Sequence, residues 1–139
     1  MKGFDTSSVT FDQLACEAEL LGVRIREQRL EHELCGLYDH ERHTIVLNPK
    51  LSDVQRLCTL AHELTHARYG DSLHDHWLSG KCERRARRDT ALRLVSPLEY
   101  RLAQCMFEGE RFLMASDLGV TVHVMEDYQL LVLASASMV

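Results

Sequence analysis

The sequence predicts an α+β fold: a small sheet of about three strands, one long helix and a helical C-terminal part. Three observations carry that expectation. Strand-like alternation is confined to residues 22–47. From residue 52 onward apolar residues recur at helical spacing, and the longest helical segment opens on a capping box and closes on a glycine. A chain of 139 residues, 45% hydrophobic and 27% charged with two prolines, has the composition of one compact globular domain able to bury a core.

The elements follow in order. Thr10 and Gln13 form a capping box, and Phe11, Leu14, Ala15, Ala18 and Leu21 make an apolar helical stripe that stops at Gly22. "GVRIREQ" (22–28) alternates as a half-buried strand does. "HELCGLYDHERHTIVLN" (32–48) reads as two strands, Leu34–Tyr38 and Thr44–Leu47, joined by a polar turn, and the second strand is expected at the sheet edge. Ser52 and Gln55 form a second capping box. Val54, Leu57, Cys58, Ala61 and Leu64 then line the core face of a long helix ending at Gly70. A polar loop (70–81) precedes a helix from about Cys82 to Val95, stopped by Pro97, and shorter helices complete the chain. Among them, residues 115–128 read as two helices around a tight turn at Gly119, the second capped by Thr121.

Charge excludes several functions. The net charge of −5 offers no field to draw the chain to nucleic acid or an anionic membrane. The basic run "KCERRARRD" (81–89) mixes in acids and reads as a solvated helix face rather than a phosphate-binding patch. The helix-turn-helix-like segment has only Arg111 against four acids between residues 109 and 139, so packing is its expected role. No apolar stretch suited to a signal peptide opens the sequence, and "LLVLA" falls far short of the ~20 residues a membrane span needs. Five cysteines without a Cys-x-x-Cys pair point to reduced, mostly buried thiols and a cytoplasmic setting.

Chemistry concentrates in "TLAHELTHARYG" (59–70). His62 and His66 are four residues apart on the long helix, on nearly the same face and about 6 Å apart along its axis, so both imidazoles can reach one ion. Glu63, rotated by about 100°, lies beside such an ion, where a base for water is needed. A catalytic zinc site takes three protein ligands and keeps one open position. His74, His76, Cys82 and Glu83 all follow within twenty residues, and Glu83 is the favoured third ligand because its helix could pack beside the first. The spacing of metzincins is absent, since Tyr69 and Ser72 occupy the positions of its next glycine and histidine. Asp71, Asp75 or backbone carbonyls are candidates to orient the imidazoles, and Tyr69, Tyr100 or His123 to stabilise an oxyanion.

These residues give the chain a resemblance, over about residues 10–128, to the ImmA/IrrE family of metallopeptidase domains of phages, mobile elements and bacterial stress regulators. "GLYDHERHTIVLNPKLS" looks like its strand pair, "AHELTHARYGD" like its zinc helix and "ERRARRDTALRLVSP" like its Glu-x-x-Ala helix. Thr65 stands where many members have glycine, and Asp89 where an aromatic is common. The resemblance implies a compact zincin-like fold with His62, His66 and Glu83 as Zn²⁺ ligands and Glu63 as catalytic base. It further implies an endopeptidase whose substrate is a helix-turn-helix repressor. The alternative is a metal-binding regulatory module that holds a repressor or other protein without cutting it. The expected organisation is a single domain, 1–139: a helix plus small sheet (10–48), metal-binding helices (52–95) and a helical C-terminal part (97–139).

Overall fold

The computed structural model describes residues 8–72 and 80–134. Its first helix, α1 (Phe11–Leu20), starts where the capping box places it. Thr10 Oγ1 accepts from the Gln13 N–H at 3.1 Å, and Gln13 Oε1 accepts from the Thr10 N–H at 3.0 Å. Three strands follow, β1 (Arg24–Glu27), β2 (Gly36–Asp39) and β3 (Thr44–Leu47).

The sheet order is β1-β3-β2, with β3 parallel to β1 and antiparallel to β2. The expectation that Thr44–Leu47 forms the edge is therefore corrected: β3 is central. The physical reason is burial, because Ile45 and Leu47 are fully buried and Thr44 nearly so, whereas β1 leaves all but Ile25 exposed. A polar edge strand of Arg and Glu also discourages pairing with another chain. The hairpin starts later than expected as well. His32 and Glu33 take left-handed backbone conformations (φ 59° and 54°), which hold Leu34 out of the ladder, so β2 begins at Gly36.

The long helix α2 (Asp53–Tyr69) is capped by Ser52, and Gly70 ends it at φ 67°, a conformation in which other residues are strained. Then come α3 (Gly80–Leu94), α4 (Pro97–Met106), α5 (Arg111–Leu118) and α6 (Val122–Asp127), the last running on into a π-helical turn, Tyr128–Leu133. Gly119 and Thr121 make the turn and cap read from the sequence.

Helix α2 is shared by two cores. One side presents Leu60, Ala61 and Leu64 to α1 and the sheet, where they meet Leu14, Ala18, Tyr38, Ile45 and Leu47. The other contributes Cys58 to a helical core with Ala91, Tyr100, Met114, Leu118 and Met125. A helix buried on two sides has little freedom to move, which suits an element that must hold side chains in register. All five cysteines are free, but the expectation that most are buried is corrected: Cys16, Cys35 and Cys105 are exposed, Cys82 is half-buried and only Cys58 is buried. Cys16 lies on the solvent face of α1, Cys105 near the end of α4 and Cys35 just before β2. Among the described residues, no helix is long and apolar enough to cross a membrane.

Candidate metal centre

The site forms where the second half of α2 meets the first turn of α3. Small and hydroxyl side chains let the two helices approach: Ala86, Thr90 and Ala91 of α3 are buried. The Thr65 hydroxyl, also buried, donates to the Ala61 carbonyl at 2.8 Å and lies 3.5 Å from Thr90 Oγ1. That close approach carries Glu83 onto the histidine face of α2. Its Oε1 is 2.8 Å from His62 Nε2, and its Oε2 is 3.2 Å from His66 Nε2. All three ligand atoms lie within 4.8 Å of one another.

Four tetrahedral ligands at zinc distances would be about 3.4 Å apart, so this group needs only small adjustments to close on one ion. The donor chemistry fits too. His66, 1% exposed, places Nδ1 2.9 Å from Asp71 Oδ2, so with Nδ1–H donated to that carboxylate, loss of the Nε2 proton would free the Nε2 lone pair for an ion shared with Glu83 and His62. Gly70 makes this possible. Its left-handed turn lets the Asp71 N–H cap the His66 carbonyl at 3.0 Å, and the Asp71 side chain thereby lands beside the imidazole of the same residue.

Asp71 is held in turn by Arg85, whose Nη2 donates to Oδ1 at 2.7 Å. The guanidinium lies 3.7 Å from the centre of the Tyr69 ring. Tyr69 donates its hydroxyl to Asp89 at 2.5 Å. Asp89, which stands where the resembled family commonly has an aromatic, thus ties α3 to the end of α2 by a hydrogen bond.

Electrostatics reflect this wiring. Hydrogen bonds from His62 and His66 hold the Glu83 carboxyl far below the usual carboxylate range. Burial opposes ionisation of Asp71, yet its bonds to His66 and Arg85 prevail and keep it low. Burial likewise opposes a charge on His66, but Glu83 and Asp71 together raise its pKa. Glu63 is 8% exposed, and burial raises its pKa despite the nearby imidazoles and a hydrogen bond from the Tyr38 N–H of β2.

His62, Glu63 and Glu83 line one cleft of about 520 Å³. Its walls also hold Leu34 and Cys35 just before β2, Gly36 at its start, Cys58 and Thr59 of α2, Arg87 of α3 and His123 and Asp127 of α6. The structure thus brings His62, Glu63, His66 and Glu83 together. Cys82 is set apart, lying near Arg85 Nη2 at 3.9 Å and bonding Asp71. His74, His76 and Asp75 lie outside the described residues. Of the three oxyanion candidates, Tyr69 points to Asp89, Tyr100 is buried and accepts from Gln129, and His123 lines the cleft.

Sequence reasoning missed Arg85, Arg87, Asp127 and the Tyr38 N–H. Arg87 carried a usable signal, since it is one helical turn after Glu83. Asp127 carried none, being forty residues away from its partner in sequence.

Fold and site together define an α+β domain with a candidate His₂Glu metal centre on a His-Glu-x-x-His helix. The family model of peptidase M78, described as the IrrE N-terminal-like domain, matches residues 18–91, just over half of the chain. The chain belongs to that peptidase family. No curated protein and no solved structure matches it.

Proposed function

We propose that the chain is a zinc-dependent endopeptidase acting in the cytoplasm on a protein substrate, a helix-turn-helix repressor of a phage or mobile-element switch. The observation that carries this reading is the convergence of His62, His66 and Glu83 within 4.8 Å, with the buried carboxyl of Glu63 on the same cleft. A purely scaffolding metal site has no need of a carboxyl at Glu63. The resemblance to repressor-cleaving domains supports the substrate class, and five free cysteines support a reducing compartment.

In this reading His62, His66 and Glu83 would hold the ion. When bound, zinc would polarise the scissile carbonyl and bring the pKa of water towards ~7. Glu63 takes a proton from water as its oxygen attacks the carbonyl carbon. As the C–N bond breaks, the same carboxyl delivers that proton to the departing amide nitrogen. Asp71 keeps the His66 ring in the tautomer whose Nε2 is a donor to the metal. The outer strand β2, not β3, borders the cleft through Gly36 and the preceding Cys35, so an extended substrate would be held there by main-chain hydrogen bonds.

The test uses zinc-loaded wild type and Glu63→Gln with the repressor encoded beside the chain. Wild type is expected to cut it, and Glu63→Gln to retain zinc while losing at least about a hundredfold in rate. Equal cutting by both would refute the assignment.

A further inference from the structure

One charged pair in the cleft has no part in the scheme above. Asp127, at the end of α6, is 3% exposed and accepts two hydrogen bonds from Arg87 on a single oxygen: from Nε at 3.1 Å and from Nη2 at 2.5 Å. Both residues line the cleft shared with His62, Glu63 and Glu83. A buried carboxylate that grips one edge of a guanidinium fixes its plane and leaves the other edge pointing elsewhere. Here the Nη1 group makes no hydrogen bond or ion pair among the described residues, and the Arg87 side chain keeps 33% of its surface.

Position gives this spare donor a purpose. Arg87 is four residues after Glu83, on the same face of α3 and about 6 Å further along the axis. In an extended peptide, carbonyl groups on one side recur every two residues, about 6.6 Å apart. A peptide whose scissile carbonyl lies at the centre held by Glu83 therefore brings another carbonyl oxygen near the Arg87 level. Gln55, Thr59, Thr90, Thr121 and His123 also line the cleft, and among these donors the guanidinium of Arg87 is the permanently charged one, which makes it the strongest available to that oxygen.

We propose that Arg87 is a substrate-binding residue whose free guanidinium edge donates to a backbone carbonyl of the bound peptide, and that Asp127 is the positioning residue that aims it. This rests on the peptidase reading and deepens it by assigning a subsite for the peptide backbone. It gives a purpose to a pair in which a buried carboxylate holds a guanidinium that stays one-third exposed on the cleft wall.

The experiment measures binding rather than turnover. Zinc-loaded protein is titrated calorimetrically with acetohydroxamate, which reaches only the metal, and with two longer probes. These are acetyl-Leu-Gly-hydroxamate and hydroxamoyl-malonyl-Leu-Gly-amide, which extend from the metal to opposite sides. Arg87→Met leaves Asp127 buried without its partner, so the double variant Arg87→Met/Asp127→Asn is made beside it to keep the fold.

The double variant is expected to bind one of the longer probes roughly 10- to 100-fold more weakly than wild type, with acetohydroxamate unchanged. Arg87→Lys, which keeps the charge but not the fork, is expected to fall in between. If both longer probes bind the double variant as they bind wild type, or all three probes weaken equally, the pair is only structural and the assignment of Arg87 is overturned. If acetohydroxamate fails to bind zinc-loaded wild type, the peptidase reading itself falls, and this assignment with it.

Discussion

Asp71 shows how much a single side chain decides at this site. It follows the glycine that ends α2, and its two oxygens divide their work: Oδ2 meets His66 Nδ1 at 2.9 Å and Oδ1 meets Arg85 at 2.7 Å. Exchanging that carboxylate for an amide keeps the shape but weakens the hydrogen bond that fixes the imidazole tautomer. Asp71→Asn is therefore expected to lower zinc affinity about 10- to 100-fold, as measured by competition with a chromophoric chelator, while the fold stays intact. An unchanged affinity would mean that Asp71 only caps the helix end. At this scale the sequence was informative where chemistry obeys helical periodicity. His62, Glu63 and His66 stand out as candidates by their spacing on a well-capped amphipathic helix, and Glu83 is preferred to His74, His76 and Cys82 because of its own predicted helix and the family resemblance. The choice of Asp71 among the proposed orienting groups needed the left-handed turn at Gly70, and the bond from the Tyr38 N–H to Glu63 needed the sheet.

Elements reach the site only because some of them touch closely. Gly36 of β2 is such a contact: a methyl group there would sit 2.6 Å from Thr59 Cγ2 of α2 and 2.9 Å from the Val46 carbonyl oxygen. Gly36→Ala must push β2 away from α2 or distort the β2–β3 pairing. A loss of about 1–3 kcal/mol in stability is expected from chemical denaturation, since one neighbour is backbone and cannot swing aside. Stability equal to wild type would show that β2 slides freely and is no fixed wall of the cleft. The sequence foretold the ends of α2 and α1 through their capping boxes, because capping is a local interaction. It misplaced the central strand, because strand order depends on which apolar residues find partners across the chain, and β3 carries the buried Ile45 and Leu47. The basic run also needed the structure for its meaning. Arg85, Arg87 and Arg88 bond to Asp71, Asp127 and Asp89, and Arg93 to Glu17, so these charges are ties within the chain.

In the whole molecule, two cores meet on α2, and the candidate centre lies on the strip of that helix that neither core covers. The sheet and α1 fix one side through Leu60, Ala61 and Leu64, and the helical part fixes the other through Cys58. The family match, residues 18–91, ends within α3, so it takes in the sheet, α2 and Glu83 but not Asp127. The shared part supplies the candidate metal ligands. The remaining helices supply the far wall of the cleft, with His123 and Asp127.

The central claim is that His62, His66 and Glu83 hold one ion and leave Glu63 free. Calorimetric titration of zinc into the metal-stripped chain, for wild type and Glu83→Gln, tests it most directly. One ion per chain is predicted for wild type, with a loss of affinity in Glu83→Gln larger than the 10- to 100-fold expected at Asp71→Asn. Binding by Glu83→Gln as tight as wild type, or no binding by wild type at all, would contradict it.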